Sequence, residues 1–215
     1  MTPKRFQKIK DALKKRQSDL TVVLDNVNKP HNLAAIIRSC DAVGIGQIHA
    51  ISKNKKIGLN LKAASGSNHW VKLQVHDSIQ SAILALKKQG FNIYAANHSK
   101  SSLDYLTIDY TQPSAVVLGA ELDGISPKTR KLVCDEIHIN MLGMVQSLNV
   151  SVANAVILLE AQRQRIESGL YQEPSLDPRL FQKLLFEFCY PEVARVFESR
   201  GERYPELDDD GQIIN

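Results

Sequence analysis

Three stretches of this chain carry residue types that can do chemistry as well as build a core. In HNLAAIIRSCDAVG, Asn32 stands near the start of a helical pattern and Arg38 about one and a half turns further in. The apolar face is already supplied by Leu33, Ile36, Ile37 and Cys40, so packing has no need of either polar residue. Local roles are available to both: Asn32 as a helix cap, Arg38 as the partner of Asp41 three residues on. The second stretch, Gly119-Ala120-Glu121-Leu122-Asp123-Gly124, directly follows the apolar run SAVVL. Two glycines allow close backbone approach, and a carboxylate between them can hold a ligand or an arginine; the alternative is an exposed turn. In the third, MLGMVQSLNVSVANAVILLEAQ, a glycine-centred turn leads into a helix apolar almost all round, which predicts burial. Ser147, Asn149, Ser151 and Asn154 lie in or just before its first turns. Buried polar groups need partners, from the protein or from a ligand. Ser147 can cap the helix, but that leaves Asn149 without a purpose.

The elements that must position these residues alternate in type. A basic amphipathic helix, with Phe6, Ile9 and Leu13 at helical spacing, precedes the strand TVVLDNV and the turn Asn28-Lys29-Pro30. A helix closed by Gly44 follows, then strands IGQIHAIS and WVKLQVH, helix SIQSAILALKKQG and strand FNIYAAN. After these come strand SAVVLGA, helix ISPKTRKLV, strand EIHINM and the longest helix, SLNVSVANAVILLEAQRQRIESG. Strands separated by helices predict an α/β fold, with a mainly parallel sheet covered on both faces. Beyond Gly169, the proline-bearing YQEPSLDPRL reads as a linker into one last helical element, LFQKLLFEFCYPEVARVFESR.

Composition narrows the class. The 215 residues are 43% hydrophobic and 23% charged, ordinary for a globular domain. No apolar run is long enough to span a bilayer, and the N-terminus lacks the apolar region of a secretory signal. Cys40, Cys134 and Cys189 form no CxxC pair, which argues against zinc and disulfides and for a reducing cytoplasm. The six histidines have no metal-site spacing, so no metal is expected. A third glycine is missing after Gly44 and Gly46, where His49 stands, so the dinucleotide fingerprint fails; Walker, HExxH and GxSxG motifs are absent. Net charge is only +4, but Met1 to Leu20 holds seven basic residues against two acidic ones, while the C-terminal stretch is acidic. That asymmetry predicts a basic arm facing a polyanion, or else two solvated termini.

The segments HNLAAIIRSCDAVG, VVLGAELDGIS and MLGMVQSLNVSVANAVILLEAQRQR together resemble, in order and spacing, the three motifs of the TrmH-type 2′-O-methyltransferases of the SPOUT superfamily. The similarity covers about Leu20 to Tyr171, and MVQSLNVSVA is its most specific string. It implies a methyltransferase domain over 20–171, flanked by a basic helix over 1–19 and a C-terminal helical extension and acidic tail over 172–215. Those extensions resemble the branch that acts on guanosine 18 of tRNA.

The resemblance further implies a C-terminal trefoil knot, an obligate homodimer with a shared active site, and S-adenosylmethionine bound in the knot. Arg38 matches the family's catalytic arginine, and Asn32, Glu121, Ser147 and Asn149 match its other functional positions. Ala96, Gly119, Ile139, Met141 and Leu148 fall where the family lines its cofactor pocket; Asn140 and Ala96 depart from the residues usual there. The expected reaction is methyl transfer to the ribose 2′-hydroxyl of guanosine 18 in the tRNA D-loop, which excludes DNA. Lys4, Arg5, Lys8, Lys53, Lys55 and Lys56, with Arg163 and Arg165, are the expected phosphate contacts. The rival readings are another RNA, such as ribosomal RNA, or a non-catalytic RNA-binding module. Intact Arg38, Glu121 and Asn149 count against the module, and the short N-terminal helix counts against a ribosomal specialist with a separate RNA-binding domain.

Overall fold

The computed structural model describes residues 1–27, 29–51, 69–120 and 124–214. They form two compact units: Ser18–Leu170, and Met1–Gln17 with Tyr171–Asn215. In the larger unit, seven described strands form one sheet: β1 (Leu20–Leu24), β2 (Gln47–Ile51), β3 (Lys72–His76), β4 (Asn92–Ala96), β5 (Leu103–Asp104), β6 (Ser114–Leu118) and β7 (Asp135–His138). Their spatial order is β3-β2-β1-β6-β4-β7-β5, and every pairing is parallel. The fold is therefore α/β.

The sequence dictates which strands are central. LTVVL and SAVVL are buried at all five positions, as a strand covered on both faces must be, and they become β1 and β6 in mid-sheet. KLQVH alternates polar with apolar residues, stays partly exposed and becomes the edge strand β3. The two-residue periodicity sorts the core into two layers. Val22, Leu24, Val116 and Leu118 pack on one face with Leu33, Ile36 and Ile37 of α2 (Pro30–Ala42) and Ile157, Leu158 and Ala161 of α5 (Val150–Glu167). Val23, Ala115, Val117, Ile93 and Ala95 pack on the other with Ile79, Ala82, Ile83 and Leu86 of α3 (Ile79–Lys88).

Several local details differ from the sequence reading. The pattern ISPKTRKLV yields only a short α4, Pro127–Arg130, capped by Ser126. Its exit is a tight turn in which Leu132 N–H donates to Thr129 C=O at 2.9 Å. Strand β5 and the single 3-10 turn after it, Tyr105–Thr107, are too short to leave a periodic signal. The longest helix is not buried all round: Val152, Leu159 and Ile166 of α5 are exposed. Arg165 is no phosphate contact. It is fully buried, its Nε donating to Tyr110 C=O at 2.8 Å and its guanidinium pairing with Asp19 at 2.5 Å. Arg163 is exposed, yet held between Glu160 and Glu167 at 2.7 Å from each.

The smaller unit contains α1 (Pro3–Lys14), α6 (Pro178–Cys189) and α7 (Pro191–Arg200). The final helical element is thus two helices: Pro191 has no N–H to continue α6, and instead opens α7. Phe6, Ile9 and Leu13 turn inward, leaving Lys4, Arg5 and Lys8 exposed. Gly211, at φ 78°, lies so close to the Phe6 ring that an added Cβ would sit 2.4 Å from it. Phe186 stacks on Tyr204 with ring centroids 4.7 Å apart.

Candidate active site

Parallel strands end on one side of a sheet, and register decides which of their ends are level. Ala96 pairs with Leu118 of β6 and with Ile137 of β7, so the carboxyl ends of β6, β4 and β7 are aligned. Gly119 is one residue past that line and Ile139 two past it. Three of the five predicted cofactor residues, far apart in sequence, therefore converge on neighbouring strand ends, where open α/β sheets bind ligands. Met141 and Leu148 lie on the segment that leaves β7 for α5, and both are partly buried.

The loop after β6 is built around Gly119. Ala120 N–H donates to Gly124 C=O at 3.1 Å, and Gly124 N–H returns a bond to Ala120 C=O at 2.9 Å, closing a narrow hairpin base. A Cβ on Gly119 would stand 2.3 Å from Gly124 O and 2.8 Å from Ile125 N, both backbone atoms, so only glycine fits. Gly124 adopts φ 60°, the left-handed region that glycine enters without cost. Glu121 lies outside the described residues, as do Asn28, Lys53, Lys55 and Lys56.

A buried carboxylate braces the same loop from β1. Asp25, next after that strand, donates its N–H to Leu118 C=O at 2.8 Å. Its side chain accepts from Thr129 Oγ1 at 2.6 Å and from Asn26 Nδ2 at 2.9 Å. Asn26 takes φ 63°, a conformation asparagine tolerates better than most residues. Sequence reasoning missed Asp25; its place directly after a fully buried strand, at the ligand-binding end of the sheet, was the available signal.

The first motif divides. Lys29 is the N-cap of α2 and makes no side-chain capping bond, and Pro30 is the first helical residue, so Asn32 is not the cap. Instead Asn32 is buried in the first turn. Arg38, six residues on, lies about 120° around the helix from it and is exposed. Among the described residues it forms no ion pair with Asp41 and no hydrogen bond. Within one chain, Asn32 and Arg38 therefore face apart.

The third motif also departs from expectation. Asn149, not Ser147, caps α5: its Oδ1 accepts from Ser151 N–H at 2.9 Å and from Ser151 Oγ at 2.7 Å. Ser147 and Asn149 are exposed, and Ser151 is only partly buried. Asn154 alone of the four is fully buried, facing Cys40 of α2, whose thiol pKa is raised by burial and lowered in part by the Asn154 side chain.

The residues expected to line the pocket fit S-adenosylmethionine in their chemistry. Ala96 and Gly119 are small residues at two adjacent strand ends, Ala96 partly exposed and Gly119 buried, while Ile139, Met141 and Leu148 are partly exposed apolar side chains able to flank a purine.

A family model described as the SpoU rRNA Methylase family matches residues 19–159, and a second, its C-terminal companion, matches 163–215. The chain is 45% identical over 215 residues, 99% of its own length and 94% of the relative's, to the tRNA (guanosine(18)-2′-O)-methyltransferase of Escherichia coli strain K12. The crystal structure of the A. aeolicus TrmH/SpoU tRNA modifying enzyme superposes with a TM-score of 0.82 at 43% identity, covering 88% of this chain and 97% of that one. AviRb from Streptomyces viridochromogenes, a SpoU methyltransferase solved in complex with the cofactor AdoMet, superposes at 0.64 with 26% identity, over 73% of this chain and 64% of that one. The chain belongs to the SpoU methylase family, the TrmH-like 2′-O-methyltransferases of the SPOUT superfamily.

Proposed function

We propose that this protein transfers the methyl group of S-adenosylmethionine to the ribose 2′-hydroxyl of guanosine 18 in tRNA. The observation that carries the reading is the convergence of Ala96, Gly119 and Ile139 on three level strand ends, beside the glycine hairpin. The near end-to-end match to a relative named for this reaction supports the same substrate.

When bound, the cofactor supplies an already activated methyl group. The chain's own residues must then align the hydroxyl and relieve it of its proton. A guanidinium stays protonated at all working pH, which makes it a poor base and a good stabiliser of a developing alkoxide. Arg38, exposed and without a described partner, takes that role and anchors an RNA phosphate, and the hydroxyl proton is lost to solvent water as the O–CH3 bond forms. Asn32, Glu121, Ser147 and Asn149 complete the site, and Lys4, Arg5 and Lys8, with Lys53, Lys55 and Lys56, hold the RNA backbone. In this reading residues 20–171 are the methyltransferase domain, 1–19 and 172–215 are its extensions, and the protein acts in the cytoplasm.

The active form is a homodimer. Val152, Leu159 and Ile166 recur every seven residues as an exposed apolar stripe along α5, and Leu142, Met144 and Val145 in the segment before it are exposed as well. Such a stripe favours a protein partner. A second copy can also complete the site around Arg38, which is exposed and about 120° around α2 from buried Asn32. The strand order supports a trefoil knot: β6 enters between β1 and β4, and β7 between β4 and β5, after those strands are already laid down.

Radiolabelled methyl transfer from S-adenosylmethionine to tRNA transcripts tests this reading. Label should enter a transcript with ribose at position 18 and not one with 2′-deoxyguanosine there; equal labelling of both refutes it.

A further inference from the structure

A polar chain beside the strand ends has no part in the chemistry above. Strand β7 ends at His138, and residues 139–141 continue without regular structure, although Ile139 and Met141 belong to the cofactor pocket in the reading given above. Asn140 between them points its amide at β5: Nδ2 donates to Asp104 Oδ2 at 2.5 Å. Its Oδ1 lies 3.2 Å from His138 Nε2, and His138 Nδ1 lies 3.0 Å from Ser102 Oγ.

The bonds have a fixed direction from the Asp104 end. The Asp104 carboxylate can only accept, so it fixes the amide with Nδ2 toward itself and Oδ1 toward the imidazole. Oδ1 then requires the proton of His138 on Nε2, while Ser102 Oγ, 3.0 Å from Nδ1, also donates to Ser99 C=O at 2.8 Å, so its one proton serves both acceptors. Both ends are anchored. Asp104 Oδ1 accepts Leu106 N–H at 3.0 Å, holding the turn after β5, and Ser102 Oγ accepts Ser99 N–H at 3.1 Å. Ser99 in turn donates to Glu136, which also receives Asn97 Nδ2 at 3.0 Å and pairs with Arg130 of α4 at 3.1 Å.

We propose that His138, Asn140 and Asp104 are positioning residues for cofactor binding: their hydrogen-bond chain holds segment 139–141 against the loop between β4 and β5, presetting the apolar wall of the pocket. A segment without ladder bonds of its own samples more conformers once this chain is cut, and cofactor affinity falls by the fraction no longer in the competent one. The chemical step, once cofactor is saturating, is spared.

Calorimetry with S-adenosylmethionine on the intact protein tests this in Asn140→Ala and His138→Phe; the second keeps a ring but removes both nitrogens. The dissociation constant should rise about fivefold to tenfold in each. The single-turnover rate on tRNA at saturating cofactor should stay within about twofold of wild type, and Ser102→Thr, which keeps the hydroxyl, should bind like wild type. Wild-type affinity in both Asn140→Ala and His138→Phe overturns the proposal, as does a slowed rate with affinity intact. Gly119→Ala is measured alongside. If it too binds normally, the location of the pocket is what fails; if it alone is impaired, the pocket stands and the positioning role fails.

Discussion

Gly119→Ala is the sharpest perturbation of the pocket. The new methyl carbon would meet Gly124 O at 2.3 Å, Gly124 C at 2.4 Å and Ile125 N at 2.8 Å. None of these is the end of a flexible side chain, so the hairpin limbs must separate by about 1 Å to reach ordinary contact distance. That movement strains or breaks the two Ala120–Gly124 bonds of 3.1 and 2.9 Å. Overpacking of this kind costs about 1–3 kcal/mol, which for a chain of this size lowers Tm by roughly 2–12 °C. Because the displaced atoms sit at the strand end, cofactor affinity should fall at least about tenfold, a displacement of this size at a preorganised site being enough. Gly90→Ala is the matched control. Gly90 has φ 85° but nothing within 4 Å of its added Cβ, so the variant pays backbone strain of about 1–2 kcal/mol and binds cofactor normally. Calorimetric titration with S-adenosylmethionine and thermal denaturation of both proteins decide the matter. Wild-type affinity in Gly119→Ala, or equal loss in both variants, refutes the assignment of the pocket to this hairpin.

Other perturbations separate structure from chemistry. Serine caps helices about as well as asparagine, so Asn149→Ser should hold Tm within about 2 °C while methyl transfer falls at least about tenfold; parallel losses would make Asn149 a cap and nothing more. Arg165→Met strands Asp19 and three backbone carbonyls, and denaturant titration should show a loss of about 3 kcal/mol or more. Replacing Lys4, Arg5 and Lys8 with glutamine should reduce the slope of log K for tRNA against log salt by about 2–3; an unchanged slope removes that helix from the RNA contact. Burial, with the His76 ring 2.9 Å away, lowers the His49 pKa to about 4. The folded form thus resists protonation, and stability is lost as pH falls from about 6.5 toward 4, by roughly 3 kcal/mol at the acid limit. His49→Gln should lack that component of the acid slope in denaturant titrations, and retention of the full slope would place its origin elsewhere.

Sequence periodicity was enough to find the core strands, because LTVVL and SAVVL are apolar at every position and admit only a doubly covered place in a sheet. It was blind to order: inserting β6 between β1 and β4 is a long-range choice that no local pattern records. The proposed pocket was suggested by the similarity of three motifs to a family, whereas the register that levels Ala96, Leu118 and Ile137 required coordinates. Asn149 and Arg165 show that a polar residue in an apolar helix takes partners its type alone does not announce. Each has a partner supplied by local geometry or a distant loop, a cap bond to Ser151 in one case and Asp19, 146 residues away, in the other. Asp25 went unnoticed because one carboxylate after a strand looks like an ordinary turn residue until Thr129 closes on it.

The central claim is a reaction at one atom of one nucleotide. Purified protein incubated with S-adenosylmethionine and an unmodified tRNA transcript, followed by nuclease digestion and mass spectrometry, reads it directly. A single 2′-O-methyl group on guanosine 18 is the predicted result. Methylation of a base or of another ribose, or no methylation by protein that binds the cofactor, would contradict it.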